Sequence, residues 1–242
     1  MAKSQIQQLS IIQELELSIE TIKMTLSIIQ KIKPQKTPYF AIFLLLSTGI
    51  ERLLKVVIGM RLLSNGSDFP TEKELKKDYG HDLIKLKSKF ISTCYNKNLS
   101  VPIIVKEDQD FLERDLLLNR LLLHLSEFAQ KDRYVYMNRI SNEASTGEWL
   151  SRRWADLENT IIPINEAVKF IEEDQINEYK SKISKSLVIV IEKFLGCLCR
   201  SITLGKMDQD ARSAGVLLFD FLFIRESELG NRSYELFGFS KS

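Results

Sequence analysis

Apolar residues recur every three or four positions along most of the chain, which is the periodicity of amphipathic α-helices. The first such stripe covers residues 6–29, and Pro34 should end it because proline lacks a backbone donor. Thr37 and Pro38 then predict an N-cap and a first helical position for a second helix, which reaches about Leu63. That helix is apolar on most faces, so we expect it to be the central buried helix.

Further helices are predicted downstream. Asp82 begins a helix that ends near Tyr95, and residues 96–102 form a break. Asp108 is expected to cap one long leucine-rich helix that ends at Phe128 or Ala129. Shorter helices are predicted over 133–140, over 147–159, and from Pro163 to about Gln175.

Two apolar runs near the end of the chain are ambiguous. Residues 187–191 are rich in β-branched side chains, but the apolar pattern continues to Leu204, and this length favours a buried helix over a strand. Residues 216–224 carry the same ambiguity and are interpreted as ordinary core, with an oligomer interface as the alternative. We therefore predict an all-α, multi-helix bundle.

The predicted organisation is a helical bundle over residues 1–140, with residues 141–242 as a C-terminal helical extension that packs on it as one globular unit. A weak boundary falls at 141–146, since no Gly/Ser-rich linker or repeat divides the chain. Length alone allows either one large domain or two small ones.

Composition says more about the cellular location of the protein than about its biochemical activity. The net charge is only +2, so any anion site must be local rather than a property of the whole surface. Three cysteines are too few for a disulfide framework. The N-terminal segment is amphipathic rather than a secretory leader, and no apolar run reaches the roughly 20 residues of a membrane span. We expect a cytoplasmic protein with no membrane role.

The common signatures of metal and cofactor chemistry are missing. Only two histidines are present, Cys197 and Cys199 would point to different sides of a helix, and no glycine-rich phosphate loop or nucleophile elbow occurs. We predict no metal site and no cofactor, with the two cysteines as structural residues.

Half of the arginines lie between positions 114 and 153, together with several aromatic residues. Guanidinium groups bind phosphate and aromatic rings stack on unpaired bases, so this region is a candidate surface for single-stranded RNA. The alternative is a helix surface of arginines whose stems cover the core. The nucleic-acid-binding candidates are Arg133, Arg139, Arg152, Arg153, Tyr134 and Trp154.

His124 lies on a predicted helix face with Glu113, Arg120, Glu127 and Lys131. That spacing favours a solvated face with local ion pairs. The alternative is that His124 serves as a general acid or base.

Three landmarks resemble the HEPN superfamily of all-helical RNA- and nucleotide-binding domains over residues 38–140. They are Glu51 with Leu54–Lys55 on the central helix, His81-Asp82-Leu83 before an amphipathic helix, and Arg133-Tyr134. Active members follow the arginine with a histidine four to six intervening residues later; here those positions hold Asn138, Arg139 and Ile140.

The resemblance implies a metal-independent ribonuclease chemistry in members that retain the histidine. In this chain the catalytic candidates would be Arg133 on the phosphate, assisted by Asn138 or His124, although asparagine cannot exchange a proton near neutral pH. It also implies a homodimer whose cleft contains Arg133 of both protomers, and a role in bacterial stress or phage defence. His81 is interpreted as a structural cap and Glu51–Lys55 as an intrahelical pair.

Three functions are consistent with these patterns. The first is a HEPN-like endoribonuclease, the second a non-catalytic or weakly catalytic module that binds RNA or nucleotide, and the third a helical partner subunit of a protein complex. The missing histidine favours the second and third over the first.

Overall fold

The computed structural model describes residues 3–33, 37–95, 103–141, 149–172, 175–205 and 207–234. This part of the chain is helical and holds no strand, so the predicted all-α multi-helix bundle is confirmed. In these ranges, one-turn π-helices at Leu75–Tyr79 and Phe128–Asp132 and a 3-10 helix at Gly215–Phe221 each continue the α-helix that precedes them. The α-helices are α1 (Lys3–Gln30), α2 (Tyr39–Ser64), α3 (Glu72–Glu74), α4 (Leu83–Cys94), α5 (Ile103–Arg114), α6 (Leu116–Glu127), α7 (Val135–Ile140), α8 (Leu150–Ile161), α9 (Ile164–Glu172), α10 (Ile176–Thr203) and α11 (Gln209–Ala214).

Helix α2 is the central helix, as predicted. It packs against α1, α4, α6 and α8, and every residue from Val56 to Arg61 is buried. Its start differs by one residue from the prediction, because the carbonyl of Pro38 accepts the first helical hydrogen bond, from Ile42, at 3.1 Å. No side chain caps this end, so the expected capping role of Thr37 is wrong.

Helix α4 begins as its sequence predicts. The Asp82 carboxylate accepts hydrogen bonds from the backbone N–H groups of Ile84 and Lys85, each at 3.1 Å. These bonds satisfy two of the amides that a helix start leaves without partners.

The single leucine-rich helix expected from Asp108 is two helices. Asp115 adopts an extended conformation and its side chain accepts from Leu118 N at 2.8 Å, which ends α5 and caps α6. The ammonium of the buried Lys87 donates to the Leu112 carbonyl at 2.8 Å, so it satisfies the last turn of α5. Asp108 caps nothing; it is buried within α5 and paired with Arg200 of α10 at 2.6 Å.

The two ambiguous apolar runs are both helical. Residues 187–191 lie inside the long helix α10, as the longer pattern favours, and residues 215–221 form the 3-10 helix. Helix α10 packs on α1, α5, α6 and α8. One cluster of buried apolar side chains runs from Leu15 of α1 to Phe221 of the 3-10 helix, so it includes residues from both 1–140 and 141–242.

The 3-10 helix and the segment after it are bound to α1 and α10. Gln30 of α1 donates to the Arg232 carbonyl at 2.6 Å, and Lys23 pairs with Asp220 at 2.9 Å. The fully buried carboxylate of Glu192 accepts from Gly230 N at 2.7 Å and from the Tyr234 hydroxyl at 2.6 Å.

Several predicted features fall outside the described residues: Pro34, the break at 96–102, and nearly all of the boundary at 141–146. The helix predicted over 147–159 begins at Leu150 in the described part and ends at Ile161. Within the described ranges, no helix is both long enough and apolar enough to cross a membrane.

Candidate nucleic-acid interface

Arg133 lies where the π-helix ends and the short helix α7 is about to begin. Arg133 as a whole is partly buried, and its Nε atom is fully buried without a hydrogen-bond partner among the described residues. Tyr134 then leaves helical geometry, and the fully buried Val135 anchors α7 to the bundle. Regular helical geometry is therefore interrupted between Arg133 and Asn138.

An aromatic and cationic stack covers α7. The Arg139 guanidinium lies 4.2 Å from the centre of the Trp149 ring, and the Tyr136 ring centre is 5.5 Å from that of Trp149. Trp149 is 54% exposed, and Tyr134 and Tyr136 are also exposed. We call Tyr134, Tyr136, Arg139 and Trp149 the α7 surface.

Two of the residues predicted for nucleic-acid binding are buried. Trp154 is 2% exposed, and its ring packs against Tyr39 with the centres 5.7 Å apart. Arg153 donates from Nε to Asp132 Oδ2 at 2.5 Å and from Nη1 to Glu127. The prediction that these two side chains line an RNA surface is therefore not supported, because neither reaches the surface. Arg152 is exposed at the start of α8.

His124 is buried, so the solvated face predicted for it is wrong. Its Nε2 lies 2.7 Å from Asp156 Oδ2, and its Nδ1 lies 3.4 Å from Arg153 Nη1. An arginine can only donate, so in this contact Nδ1 accepts, which leaves Nε2 to donate to Asp156. With both nitrogens engaged, the imidazole links α6 to α8.

The carboxylates that dilute the positive charge in sequence have local partners in the fold. Glu127 and Asp132 bind Arg153, and Asp115 caps α6. Asp156 binds His124 and lies 3.4 Å from Arg120. These four described carboxylates therefore each have a partner within the fold, and Asp132 is fully buried; Glu143 and Glu148 lie outside the described residues.

The landmarks at positions 51, 55 and 81 meet at one point. Glu51 Oε1 accepts from Lys55 at 2.6 Å, which confirms the intrahelical pair, and Glu51 Oε2 lies 2.8 Å from His81 Nδ1. His81 thus binds a carboxylate at the start of α4, while the cap itself is Asp82.

The residues predicted to bind nucleic acid include Trp154 but not Trp149 or Tyr136, which the structure places on the surface. The pattern of α8 carries the signal that separates the two tryptophans. Leu150, Trp154 and Leu157 share one helical stripe at spacings of four and three, and all three are buried. Trp149 precedes the helix and lies outside that stripe.

The cysteines are buried thiols that lie apart from any group of metal ligands in the described residues. Cys94, Cys197 and Cys199 are free and buried, and burial raises the pKa of the Cys94 thiol to about 12. In the described part of the chain, no group of three or more potential ligands is placed to hold a metal ion.

Comparison with known proteins gives no relative: no family model matches the chain, and neither a curated protein nor a solved structure is significantly similar to it.

Proposed function

We propose that this protein binds single-stranded RNA or nucleotide phosphate on the α7 surface, without turnover. The observation that carries the proposal is the exposed stack of Arg139 on Trp149, with Tyr136 beside it. Aromatic faces and guanidinium planes together are the side chains on which unpaired bases stack.

The cations near this surface supply contacts for phosphate. Arg133 precedes α7 and is partly exposed, and Arg152 is exposed at the start of α8. A guanidinium can offer two parallel N–H groups to one phosphate. The neighbouring carboxylates Glu127 and Asp132 are already bound to Arg153, which limits their repulsion of a polyanion.

The geometry favours binding over catalysis. Neither candidate for proton transfer is suitably placed, since His124 is held within the bundle between Asp156 and Arg153, and Asn138 has no titratable group. Arg133 would therefore hold a phosphate rather than promote its cleavage.

Membership of a HEPN-like class is part of this proposal. It is supported by the helical bundle and by the contacts of Glu51 with Lys55 and His81. A homodimer that brings two copies of Arg133 together, and a role in bacterial stress or phage defence, follow from the same resemblance. Sedimentation at micromolar concentration tests the dimer: a strict monomer excludes a cleft shared by two protomers.

A helical partner subunit is the second candidate, and the apolar part of α7 favours it. Met137 and Ile140 are 64% and 77% exposed on the same short helix. Exposed apolar side chains at helical spacing are typical of protein docking surfaces.

Tryptophan fluorescence and anisotropy of a labelled single-stranded RNA separate these functions. The chain has two tryptophans and Trp154 is buried, so quenching by RNA reports on Trp149. We expect Trp149→Ala to lower the affinity for RNA at least about fivefold, because the variant loses the ring on which one base would stack. Arg225→Gln removes an exposed arginine elsewhere and is the matched control.

The outcome that contradicts the proposal is equal RNA affinity for the wild type, Trp149→Ala and Arg225→Gln, or no affinity at low salt. Cleavage of the RNA in EDTA that is lost in Arg133→Ala would instead establish the ribonuclease. Absence of RNA binding combined with co-purification of a protein that Ile140→Ser releases would establish the partner subunit.

A further inference from the structure

A cavity of about 430 Å³ lies between α1, α2 and the segment that precedes α4. Its charged lining comes from Glu14, Glu51, Arg52 and Lys55, its neutral polar lining from Gln7 and Ser10, and its apolar lining includes Phe69 and Leu75. None of these residues belongs to the α7 surface.

The two cations of this cavity retain unused donors. Arg52 donates from Nε and Nη2 to the two oxygens of Glu14 at 2.5 and 2.6 Å, and its Nη1 makes no hydrogen bond to any described residue. Lys55 donates to Glu51 at 2.6 Å, and an ammonium has three N–H groups. Positions 52 and 55 are three apart, so both cations project from one side of α2 into one space.

The two carboxylates have less capacity to spare. Glu14 uses both oxygens on Arg52, and Glu51 uses one on Lys55 and the other on His81. The bond to Glu14 raises the pKa of Arg52, which keeps its guanidinium charged. Among the charged groups of the cavity, the guanidinium and ammonium N–H groups therefore have hydrogen-bonding capacity left, whereas the carboxylates have little.

The apolar part of the cavity wall suits a flat organic body. The ring of Phe69 lies directly over Gly59 of α2, and a Cβ at position 59 would fall 2.1 Å from Phe69 Cε2. Glycine at 59 thus lets the ring sit against the helix, with Leu75, Ile11 and Val56 completing an apolar surface.

We propose that this cavity binds a small organic anion, with its phosphate or carboxylate headgroup on Arg52 and Lys55 and its flat apolar body against Phe69. The proposal does not depend on RNA binding at the α7 surface.

Calorimetric titration of the full chain tests it with adenosine 5′-monophosphate, adenosine and benzoate. We expect at least one of the two anions to bind, and the nucleotide to bind more tightly than adenosine if the headgroup is phosphate. Lys55→Gln should lower the affinity for the anion at least about tenfold, which corresponds to about 1.4 kcal/mol. Lys76→Gln breaks a largely exposed Lys–Glu pair of the same spacing outside the cavity and should leave the affinity unchanged.

Gly59→Ala provides an independent variant that alters the wall and keeps every charge. It should also lower the affinity for the anion. A thermal melt of each variant shows whether it is folded. The proposal is overturned if neither anion binds, if Lys55→Gln and Lys76→Gln bind alike, or if binding survives Lys55→Gln but is lost in Trp149→Ala. That last result would assign the anion to the α7 surface.

Discussion

Arg153 Nε lies 2.5 Å from Asp132 Oδ2, and both side chains are buried at the contact of α8 with the π-helix that follows α6. The same guanidinium reaches Glu127 and His124, so one cation joins these three side chains of α6 and the π-helix that follows it. Such a pair costs free energy to desolvate, but removing one partner costs more because the other is left buried and charged.

Asp132→Asn should therefore lower the free energy of unfolding by about 3–5 kcal/mol. Urea denaturation followed by circular dichroism measures this change. Glu127→Gln is the control, since Glu127 is partly exposed and its loss should cost clearly less. Equal effects of the two variants would mean that burial does not set the strength of this network.

Substitution of Gly230 should destabilise the protein through both backbone strain and a clash. Gly230 has φ +72°, and a Cβ there would lie 2.8 Å from Lys185 Cγ and 2.9 Å from Ile189 Cγ1. Gly230→Ala is expected to cost about 1–3 kcal/mol, measured by urea denaturation.

Gly66 separates the two causes, because it has φ +80° but no atom within 4 Å of the position that an added Cβ would take. Gly66→Ala should cost only the strain, about 1 kcal/mol. If Gly230→Ala lowers the free energy of unfolding no more than Gly66→Ala does, the segment over α10 can shift without cost and the clash does not destabilise the protein.

The native cysteines should be unreactive toward thiol reagents at neutral and mildly alkaline pH. All three are buried, and burial raises the pKa of Cys94 and of Cys199 to about 12 in each case. The thiolate is the reactive form, so almost none is present. A colorimetric thiol assay should show no rapid reaction in buffer and three reactive thiols in denaturant; a fast native thiol would contradict the burial.

Stability should fall between about pH 10 and pH 12, and Tyr179 should contribute to the fall. Burial, together with the nearby carboxylate of Glu158, raises the pKa of Tyr179 to about 12 from the usual 10.0. Below pH 10 both states keep the proton. Between the two values the unfolded chain loses it first, so unfolding becomes more favourable as pH rises.

Tyr179→Phe should therefore flatten this alkaline slope, which is measured from denaturation midpoints across that pH range. Tyr136→Phe removes an exposed hydroxyl on the α7 surface and should leave the slope as it is. An unchanged slope in Tyr179→Phe would show that the raised pKa of this group does not contribute.

Features with a local cause could be predicted from the sequence. The stripe of α1, the all-round apolar character of α2 and the Asp82 cap each depend on residues within a few positions of one another. The same local rule, applied to Leu150, Trp154 and Leu157, identifies Trp154 as buried.

Features that depend on distant partners could not be predicted in this way. Asp108 and Asp115 are both good capping residues, and only the pairing of Asp108 with Arg200, 92 positions away, decides that Asp115 is the cap. His124 has charged neighbours on α6, which indicate a solvated face, but Asp156 and Arg153 arrive from α8 to cover it.

The fastenings of α1 have a consequence for synthesis. The partners of Gln30 and Lys23 are Arg232 and Asp220, which follow them by 202 and 197 positions. On the ribosome, α1 emerges long before those residues are translated, so Gln30 and Lys23 initially lack these native partners. Completion of the bundle is therefore a late event, and contacts of such long sequence separation are those that slow folding.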